Sequence, residues 1–535
     1  MVAKMPPGTI RLTGLDGKII LHPKPTDDYD DPLNWSTRRK GLHFGIVILY
    51  TFVTFLLLDE GPPVAYVDLQ TDLSMRDDDN ALQRAFTFVG LGLAGIAFIP
   101  LAYRYGRRPI YLMSALTQVL ASLWMASVRT KYEFFVSSAV AGAAGSVSQT
   151  LVSMTVTDMS FVHQFATMNG LFLFAQGAGA FLAPAVAGYI VEYQGWRWVY
   201  RWTSILLGLV FLLMLFCLEE STFVPAPPSK LVEPESEDVF DRPVSCGSTA
   251  GHVDLVNINR TMAMKVTDIP APPKTWRQRF ALMTRTGRPI KKRFISPFVV
   301  VASFPAVTYA AVTYGSVMAW LSIYEVATAV TLFKTPYSFR ATHMGLFELS
   351  PFIGHTIGSL LVSALSDRWI VHLARKNGGI YHPEMRLWFA IPGAVLTCAG
   401  ILIYGIGIVK VAPWPVLGLG FGTFGLGFSI CLDVALAYIT DCYHNMIGDA
   451  LVGISFIRNG IAIVVLLVII PGMQNMGMQT TFIVVAVTAA VVLLIPIPMM
   501  IWGRRARIAT SAKYEHYSLA AIPPASLKNL MEEWS

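Results

Sequence analysis

Twelve long apolar blocks run along this chain, and they restrict its fold more than any other feature of the sequence. Each is roughly 18 to 25 residues long, which is the length that an α-helix needs to cross the hydrocarbon core of a bilayer. The blocks form two sets of six, at 41–58, 82–103, 110–127, 132–155, 168–190 and 198–218, and at 297–322, 340–365, 387–407, 413–440, 450–471 and 479–502. The pattern predicts an all-α membrane protein with twelve transmembrane helices in two six-helix bundles.

The low content of charged residues leads to the same prediction. Charged residues make up 14% of the chain and hydrophobic residues 54%, whereas a soluble globular protein carries about 25% charged residues. The formal net charge of +7 comes from Lys and Arg in the short polar gaps between apolar blocks, without the interleaved aromatic residues of a nucleic-acid-binding face. We therefore expect the lipid bilayer as the solvent and no nucleic-acid partner.

Polar segments flank and divide the apolar blocks. They predict five parts: a cytoplasmic N-terminal tail over 1–40, an N-terminal bundle over 41–218, a cytoplasmic linker over 219–296, a C-terminal bundle over 297–502 and a cytoplasmic C-terminal tail over 503–535. The linker is polar and contains several Pro and Ser residues, so we expect no folded domain there. The polar N-terminus predicts that a cleavable signal peptide is absent and that the first span directs insertion.

Lys and Arg are unevenly distributed between the two sides of the predicted membrane domain. Basic residues precede spans one and seven and follow spans two, eight and twelve, whereas the segment after span one is acidic between Asp59 and Asp79. Because cytoplasmic loops retain positive charge, both termini and the linker are predicted to be cytoplasmic, and the Asn259 sequon to stay unglycosylated. The plasma membrane is the favoured location, with the vacuole or another endomembrane as the alternative.

The two halves carry related motifs. One reads Tyr103-Arg104-Tyr105-Gly106-Arg107-Arg108-Pro109 between spans two and three, and Ser366-Asp367-Arg368 opens the equivalent gap of the second half. Together with Asp31-Pro32-Leu33-Asn34-Trp35-Ser36, Gly195-Trp196-Arg197-Trp198 and Tyr438-Ile439-Thr440-Asp441-Cys442-Tyr443, they resemble motifs of the major facilitator superfamily, specifically its fungal drug:proton antiporters with twelve spans. The resemblance covers most of the chain and implies a transporter built from two repeats, which we expect to be a monomer.

The resemblance also implies that the basic loop is a gate. The predicted gating residues are Arg104, Gly106, Arg107 and Arg108, with Asp367 and Arg368 in the second half. Arginines at such a helix end can clamp carboxylates or helix C-termini. Tyr103 stands where the family has an acidic residue, so the first-half clamp is predicted to be incomplete. The alternative is that these arginines only set the topology.

The fifth span resembles the family's antiporter motif. Gly170, Gly179, Pro184 and Gly188 keep its spacing, although Ala replaces Gly twice. Small residues let helices approach closely, and a proline bends a helix where neighbours satisfy the freed carbonyl. In the family this motif accompanies exporters, while ordinary small-residue packing is the alternative. Ser138 aligns with a family arginine of the fourth span, so the proton-coupling role of that arginine is not carried over.

Four ionisable residues lie inside the predicted spans, where each costs about 2.5 to 3.5 kcal/mol on insertion scales. Glu348 and His355 are seven residues apart in span eight, so they share one helix face about 10 Å apart. They are predicted to load and release a proton, unless they form a structural pair or Glu348 lies in the outer vestibule. Asp433 and Arg458 are further coupling candidates, or form an interhelical ion pair.

Polar residues without charge are the expected contacts for a solute. Gln149, Gln176, Tyr309, Tyr314 and Asn459 are the predicted cavity-lining residues, with packing as the alternative for the aromatic ones. The sequence lacks HExxH, GxSxG and P-loop motifs and metal-like spacing of His and Cys, so no enzyme, metal or cofactor is expected. We predict proton-coupled efflux of a small amphipathic organic compound, such as a drug, toxin or secondary metabolite. The alternative is a proton-coupled symporter that imports a small nutrient.

Overall fold

The computed structural model describes residues 6–11, 31–59, 64–160, 162–221, 279–280, 283, 291–377, 380–443 and 446–521. Most of the predicted linker, including Asn259, and both chain ends lie outside these residues. In the first half, the helices are α1 Thr37–Asp59, α2 Tyr66–Leu73, α3 Asp77–Tyr105, α4 Arg108–Ser127, α5 Lys131–Met159, α6 Val162–Gln194 and α7 Trp196–Cys217. A 3₁₀ turn, Pro32–Asn34, precedes α1.

The second half repeats this arrangement with three of its spans broken. Its helices are α8 Lys291–Ser303, α9 Pro305–Leu332, α10 Ala341–Phe347, α11 Leu349–Lys376, α12 Ala390–Val409, α13 Trp414–Cys442, α14 Ile447–Met476, α15 Met478–Leu493 and α16 Pro496–Ala521. A 3₁₀ helix, Pro383–Phe389, leads into α12. Pro305 and Pro496 each begin a helix, as expected for a residue that has no backbone N–H to donate.

Eleven helices in the described part of the chain are long and apolar enough to cross a membrane. The predicted eighth span, 340–365, is not among them. It is occupied by α10 and α11, which pack against α6 and α13. The all-α membrane fold predicted from the apolar blocks is therefore confirmed.

One predicted span is too short. The prediction ended span seven at 322, whereas α9 continues to Leu332. Glu325 follows this apolar run closely, and a charged residue at such a position is typical of a loop. In the structure the Glu325 carboxylate forms an ion pair with Arg84, so the helix remains buried beyond it.

The two halves meet along two crossings. In one crossing α3 packs against α14, and in the other α6 packs against α10 and α11. Within the halves, α3 packs on α5 and α11 packs on α13. Spans two and five thus contact spans eleven and eight, as expected for two related bundles facing each other across a central space.

Parts of both predicted tails form secondary structure. Strand β1, Ile10–Arg11, pairs antiparallel with β2, Ile380–Tyr381, and so anchors part of the N-terminal tail to the second half. Gly8 has φ +79, and a Cβ there would lie 2.4 Å from the Asp441 carbonyl oxygen. The predicted boundary at 503 falls inside α16, which continues to Ala521.

Two faces of the bundle are used below. The motif face is the end that carries Arg107, Glu220 and Asp441. The α2 face is the opposite end, which carries Asp59, where α1 ends, and α2.

Candidate substrate cavity and its two gates

A central cavity lies between the two halves. It contains about 820 Å³ of atom-free space, counting its opening. Helices α1, α3, α5 and α6 line one side, and α9, α11, α13 and α14 the other. The wall is mostly apolar and aromatic, with Phe55, Phe88, Phe181, Met318 and Phe428 among its residues. Its mostly apolar lining with a few polar groups is typical of pockets that bind small organic molecules.

Asp433 and Arg458 line this cavity from α13 and α14. Asp433 Oδ2 has no hydrogen-bond partner among the described residues. The Arg458 guanidinium lies 6.0 Å from the centre of the Tyr314 ring, and the residue is only 5% exposed. The interhelical ion pair considered for Asp433 and Arg458 is not formed within the described structure. Each side chain faces the cavity instead, an orientation that depends on helix rotation and not on sequence spacing.

The structure places Glu348 and His355 in different surroundings, although they lie only about two helical turns apart. His355 lines the cavity, with its ring centroid 5.7 Å from that of Phe181 and 6.1 Å from that of Phe428. Neither ring nitrogen makes a well-formed hydrogen bond within the described residues, although the Leu173 carbonyl faces the ring. Glu348 does not line the cavity and lies nearer the α2 face.

A smaller cavity of about 410 Å³ adjoins the first one. Gln149, Gln176 and Arg458 line both cavities, so they form the boundary between them. The Ser455 hydroxyl donates to Gln149 Oε1 over 3.2 Å and joins the two halves at this level. Tyr314 lines only the smaller cavity.

Tyr309 and Asn459 line neither of these two cavities. Tyr309 packs against Tyr438 in the core of the second half, with ring centroids 6.1 Å apart. Asn459 lies at the crossing of α3 and α14, where a Cβ on Gly92 would be 3.4 Å from its own Cβ. Both residues therefore occupy packing positions in this structure.

The α2 face is closed by an ionic cluster that the sequence analysis missed. Arg84 on α3 pairs with Asp59 at 2.5 Å and with Glu325 of the second half at 2.6 Å. Glu348 lies close enough to act on the Arg84 charge. Arg84, Asp59 and Glu325 stand at or just beyond the ends of apolar blocks, where charged loop residues are common. One signal in the sequence could have indicated the cluster: Arg84, Asp59 and Glu325 lie at the same predicted depth in the membrane.

Close backbone contacts between α6 and α10 lie on the same side of the bundle as this cluster. A Cβ on Gly188 would lie 2.6 Å from the Ala341 carbonyl oxygen, and one on Gly345 would lie 2.3 Å from the Pro184 carbonyl oxygen. On its other side, Gly179 packs against α1, where a Cβ would lie 2.4 Å from the Phe52 carbonyl oxygen. The small residues of the predicted antiporter motif thus serve two helix crossings.

The motif face carries a compact ionic network around the basic loop. Gly106 has φ +95, and a Cβ there would lie 2.4 Å from the carboxylate of Glu220. That carboxylate accepts from the backbone N–H groups of Arg107 at 2.9 Å and Arg108 at 3.1 Å. The Arg107 guanidinium forms an ion pair with Asp158. Burial disfavours the charged form of Arg107, but the attraction of Asp158 together with the effects of Tyr103 and Tyr111 raises the pKa of Arg107.

The prediction of an incomplete first-half clamp is therefore wrong. Tyr103 stands where the family has an acidic residue in the loop. Asp158 and Glu220 supply carboxylates instead, from the ends of α5 and α7. Glu220 was predicted to be part of the linker, so its contact was not foreseen. Arg108 donates to the Leu215 carbonyl over 2.7 Å, as expected for an arginine at a helix C-terminus. Arg104 is exposed.

The second half has an equivalent network. Arg386 pairs with Asp441 at 2.9 Å, and Arg507 pairs with Glu384 at 2.6 Å. Arg386 and Asp441 occupy the positions of Arg107 and Asp158 in the repeat. The side chain of Asp367 lies outside the described residues, so its gating role stays a prediction; Arg368 itself is exposed. Gly170, at the motif-face end of α6, is partly buried.

No cluster of three or more His, Cys, Asp or Glu side chains suited to a metal ion occurs among the described residues. The four cysteines in these ranges are free thiols. The functional groups that the structure brings together are therefore charged and amide side chains around an apolar cavity.

Comparison with known proteins identifies the family. The model of the Major Facilitator Superfamily matches residues 44–466. An uncharacterized MFS-type transporter of Schizosaccharomyces pombe is 29% identical over 93% of this chain and 90% of its own length. Protein HOL1 of Saccharomyces cerevisiae is 24% identical over 93% of this chain and 91% of its own length. The MFS transporter cpaT of Aspergillus oryzae is 26% identical over 80% of this chain and 79% of its own length. The chain belongs to the major facilitator superfamily of membrane transporters.

Proposed function

We propose that this transporter exports a small amphipathic organic compound in exchange for protons. The observation that carries the proposal is the cavity of about 820 Å³, whose wall is apolar apart from a few charged and amide groups. Such a wall suits an organic molecule with a large apolar part. The direction rests on the resemblance of α6 to the antiporter motif and on the small-residue crossings that this motif makes.

The charged groups suggest how protons take part. Asp433 and His355 face the cavity and lack well-formed hydrogen bonds, so either can gain or lose a proton when the cavity contents change. Glu348 and Glu325 lie at the α2-face gate, where protonation of a carboxylate would weaken its attraction to Arg84. Proton binding on one side and substrate binding on the other would then favour opposite gate states.

The direction and the energy source can be tested in cells. A panel of fluorescent amphipathic compounds would be screened in yeast that lacks its own drug exporters, with and without this chain. We expect cells that express the chain to accumulate less of at least one compound, and a protonophore to abolish the difference. Greater accumulation would support import of a nutrient instead, and equal accumulation of all compounds would contradict export.

The coupling residues can be tested in proteoliposomes with an imposed pH gradient. We expect Asp433→Asn, His355→Gln or Glu348→Gln to reduce gradient-driven flux at least tenfold while exchange without a gradient continues. Glu133→Gln is the matched control, because Glu133 is an exposed carboxylate at the start of α5. Unchanged gradient-driven flux in all three variants would exclude these groups from coupling.

The placement in the cell is part of the same proposal. We infer a monomer in the plasma membrane with both termini and the linker in the cytoplasm, because basic residues concentrate on the motif face. Epitope tags at either end should be inaccessible to antibody in intact cells and accessible after permeabilisation. A glycan at Asn259 would contradict this orientation.

A further inference from the structure

Two opposite charges face the cavity without being paired to each other. Asp433 and Arg458 both line it, and no ion pair joins them within the described structure. We propose that this cavity selects zwitterionic amphipathic molecules, with an ammonium group held by Asp433 and a carboxylate held by Arg458. The inference rests on the proposed transport function and adds the chemical class of the substrate.

The other charged groups of the cavity wall are already engaged. Asp59 and Arg84 also line the cavity, but they pair with each other, and Arg84 pairs with Glu325 as well. His355 carries a charge only in its protonated form, and its ring lies against the rings of Phe181 and Phe428. The charge of Asp59 also acts on Arg458, but no ion pair joins them. Among the described residues of the wall, one carboxylate and one guanidinium are therefore left without a salt-bridge partner.

A ligand with only one charge leaves the other group unsatisfied. A cationic ligand would pair with Asp433 and leave Arg458 buried without a partner. An anionic ligand would pair with Arg458 and leave Asp433 without one. A neutral apolar molecule would remove both groups from water without giving either a partner. Each unsatisfied buried charge is costly. The ammonium group of a zwitterion favours the ionised form of the Asp433 carboxyl group, because an opposite charge stabilises a carboxylate. A zwitterion therefore satisfies both groups and adds no net charge to the closed cavity.

Polar residues near Arg458 mark the carboxylate end. Gln149 and Gln176 share with Arg458 the boundary between the two cavities. Gln149 accepts from Ser455 through Oε1, which leaves its amide group free to donate. Two amide donors beside a guanidinium form a suitable site for a carboxylate.

Apolar residues occupy the rest of the wall and fit the body of the molecule. Phe55, Phe88, Phe181 and Phe428 line the main cavity from four helices. A molecule that combined two charged ends with one or two aromatic rings would therefore bury its apolar surface against these side chains.

Four dipeptides of nearly equal size test the inference. They are phenylalanyl-phenylalanine, its methyl ester, its N-acetyl form and its N-acetyl methyl ester, which are zwitterionic, cationic, anionic and neutral at pH 6. Binding to the full-length protein in lipid nanodiscs would be measured by calorimetry. We expect the zwitterion to bind at least tenfold more tightly than each of the others, since hydrogen bonds to charged groups are the strong ones. Equal or tighter binding of any other form, or binding of none at millimolar concentration, would overturn the inference.

Two variants assign the ends of the molecule. The N-acetyl form should bind to the Asp433→Asn variant as tightly as the zwitterion does. The methyl ester should bind to the Arg458→Gln variant as tightly as the zwitterion does. Glu133→Gln should leave the wild-type order unchanged. Melting temperatures would confirm that the variants fold; if one does not, the wild-type series alone decides. Failure here together with protonophore-sensitive export in yeast would refute the zwitterion and leave the proposed function standing.

Discussion

Arg84 is the residue on which the α2-face gate depends. It holds Asp59 of its own half and Glu325 of the other half, and it is 8% exposed. Removing one member of a buried ion pair leaves an uncompensated charge and costs about 3 to 5 kcal/mol. Arg84→Gln leaves two such carboxylates. We expect it to lower the melting temperature of the detergent-solubilised protein more than any other substitution in this cluster.

Glu325→Gln provides the comparison at the same site. It leaves Arg84 paired with Asp59, so the loss of stability should be smaller than in Arg84→Gln. Fluorescence-monitored unfolding of the two purified variants would measure both effects. Equal melting temperatures would mean that the cluster contributes little to the closed gate.

Polar cavity-lining residues were predictable where they interrupt an apolar block. Asp433, Arg458, His355, Gln149 and Gln176 were found in this way, and all of them line the cavity. Arg84 and Glu325 stand where blocks end, and a charge at that place is indistinguishable from a loop residue by sequence alone. Pairing was not predictable either, because it depends on the rotation of each helix about its axis.

At the scale of helices, the crossing of α6 with α10 should tolerate no added side chain. A Cβ on Gly188 would lie 2.6 Å from a backbone oxygen, which cannot move without shifting α10. Gly188→Ala should therefore destabilise the protein by about 1 to 3 kcal/mol, as overpacking does. It should also reduce transport. Thermal unfolding and flux of the reconstituted variant would test this.

Gly208→Ala on α7 is the matched control. Nothing lies within 4 Å of the added Cβ there, so only the higher helix propensity of alanine remains. Its stability should be unchanged or slightly raised. A similar loss in both variants would show that the effect of Gly188→Ala does not come from the crossing.

The contact between α2 and α7 should depend on pH. Asp72 accepts from the Trp196 indole over 3.0 Å and from Arg197 over 2.6 Å, and these bonds lower its pKa. Because the folded pKa is below the ordinary value of about 3.9, the stabilisation is complete above that value and is lost as the pH falls through the folded pKa. Fluorine NMR of 5-fluorotryptophan at Trp196 should show one environment down to about pH 4. Asp72→Asn should abolish the acid transition, and a transition near pH 6 in the unmodified protein would contradict the assignment.

At the scale of the whole molecule, the apolar blocks were sufficient to predict two bundles, because the bilayer requires long apolar helices. The two-fold relation of the motif-face networks was predicted only in part. Arg107 and Arg108 were identified, but their partners lie at the ends of α5 and α7, far away in sequence. In the second half, Arg386 with Asp441 and Arg507 with Glu384 form the network, and none of these pairs follows from local spacing.

If the halves move against each other, fixing them together on the α2 face should stop transport. Glu192 of α6 accepts from the Thr342 hydroxyl of α10 over 2.5 Å, so cysteines at these positions can be joined across the halves by a short bifunctional thiol reagent that forms reducible disulfides. Asp72 and Arg197 form a similar contact at 2.6 Å inside one half and provide the control pair. Both pairs would be introduced after replacement of the five native cysteines. Crosslinking at 192 and 342 should reduce flux at least tenfold, with recovery on reduction, whereas crosslinking at 72 and 197 should leave flux unchanged. Full flux with the first pair crosslinked would contradict alternating opening at this face, because the substrate would then pass without separation of α6 from α10.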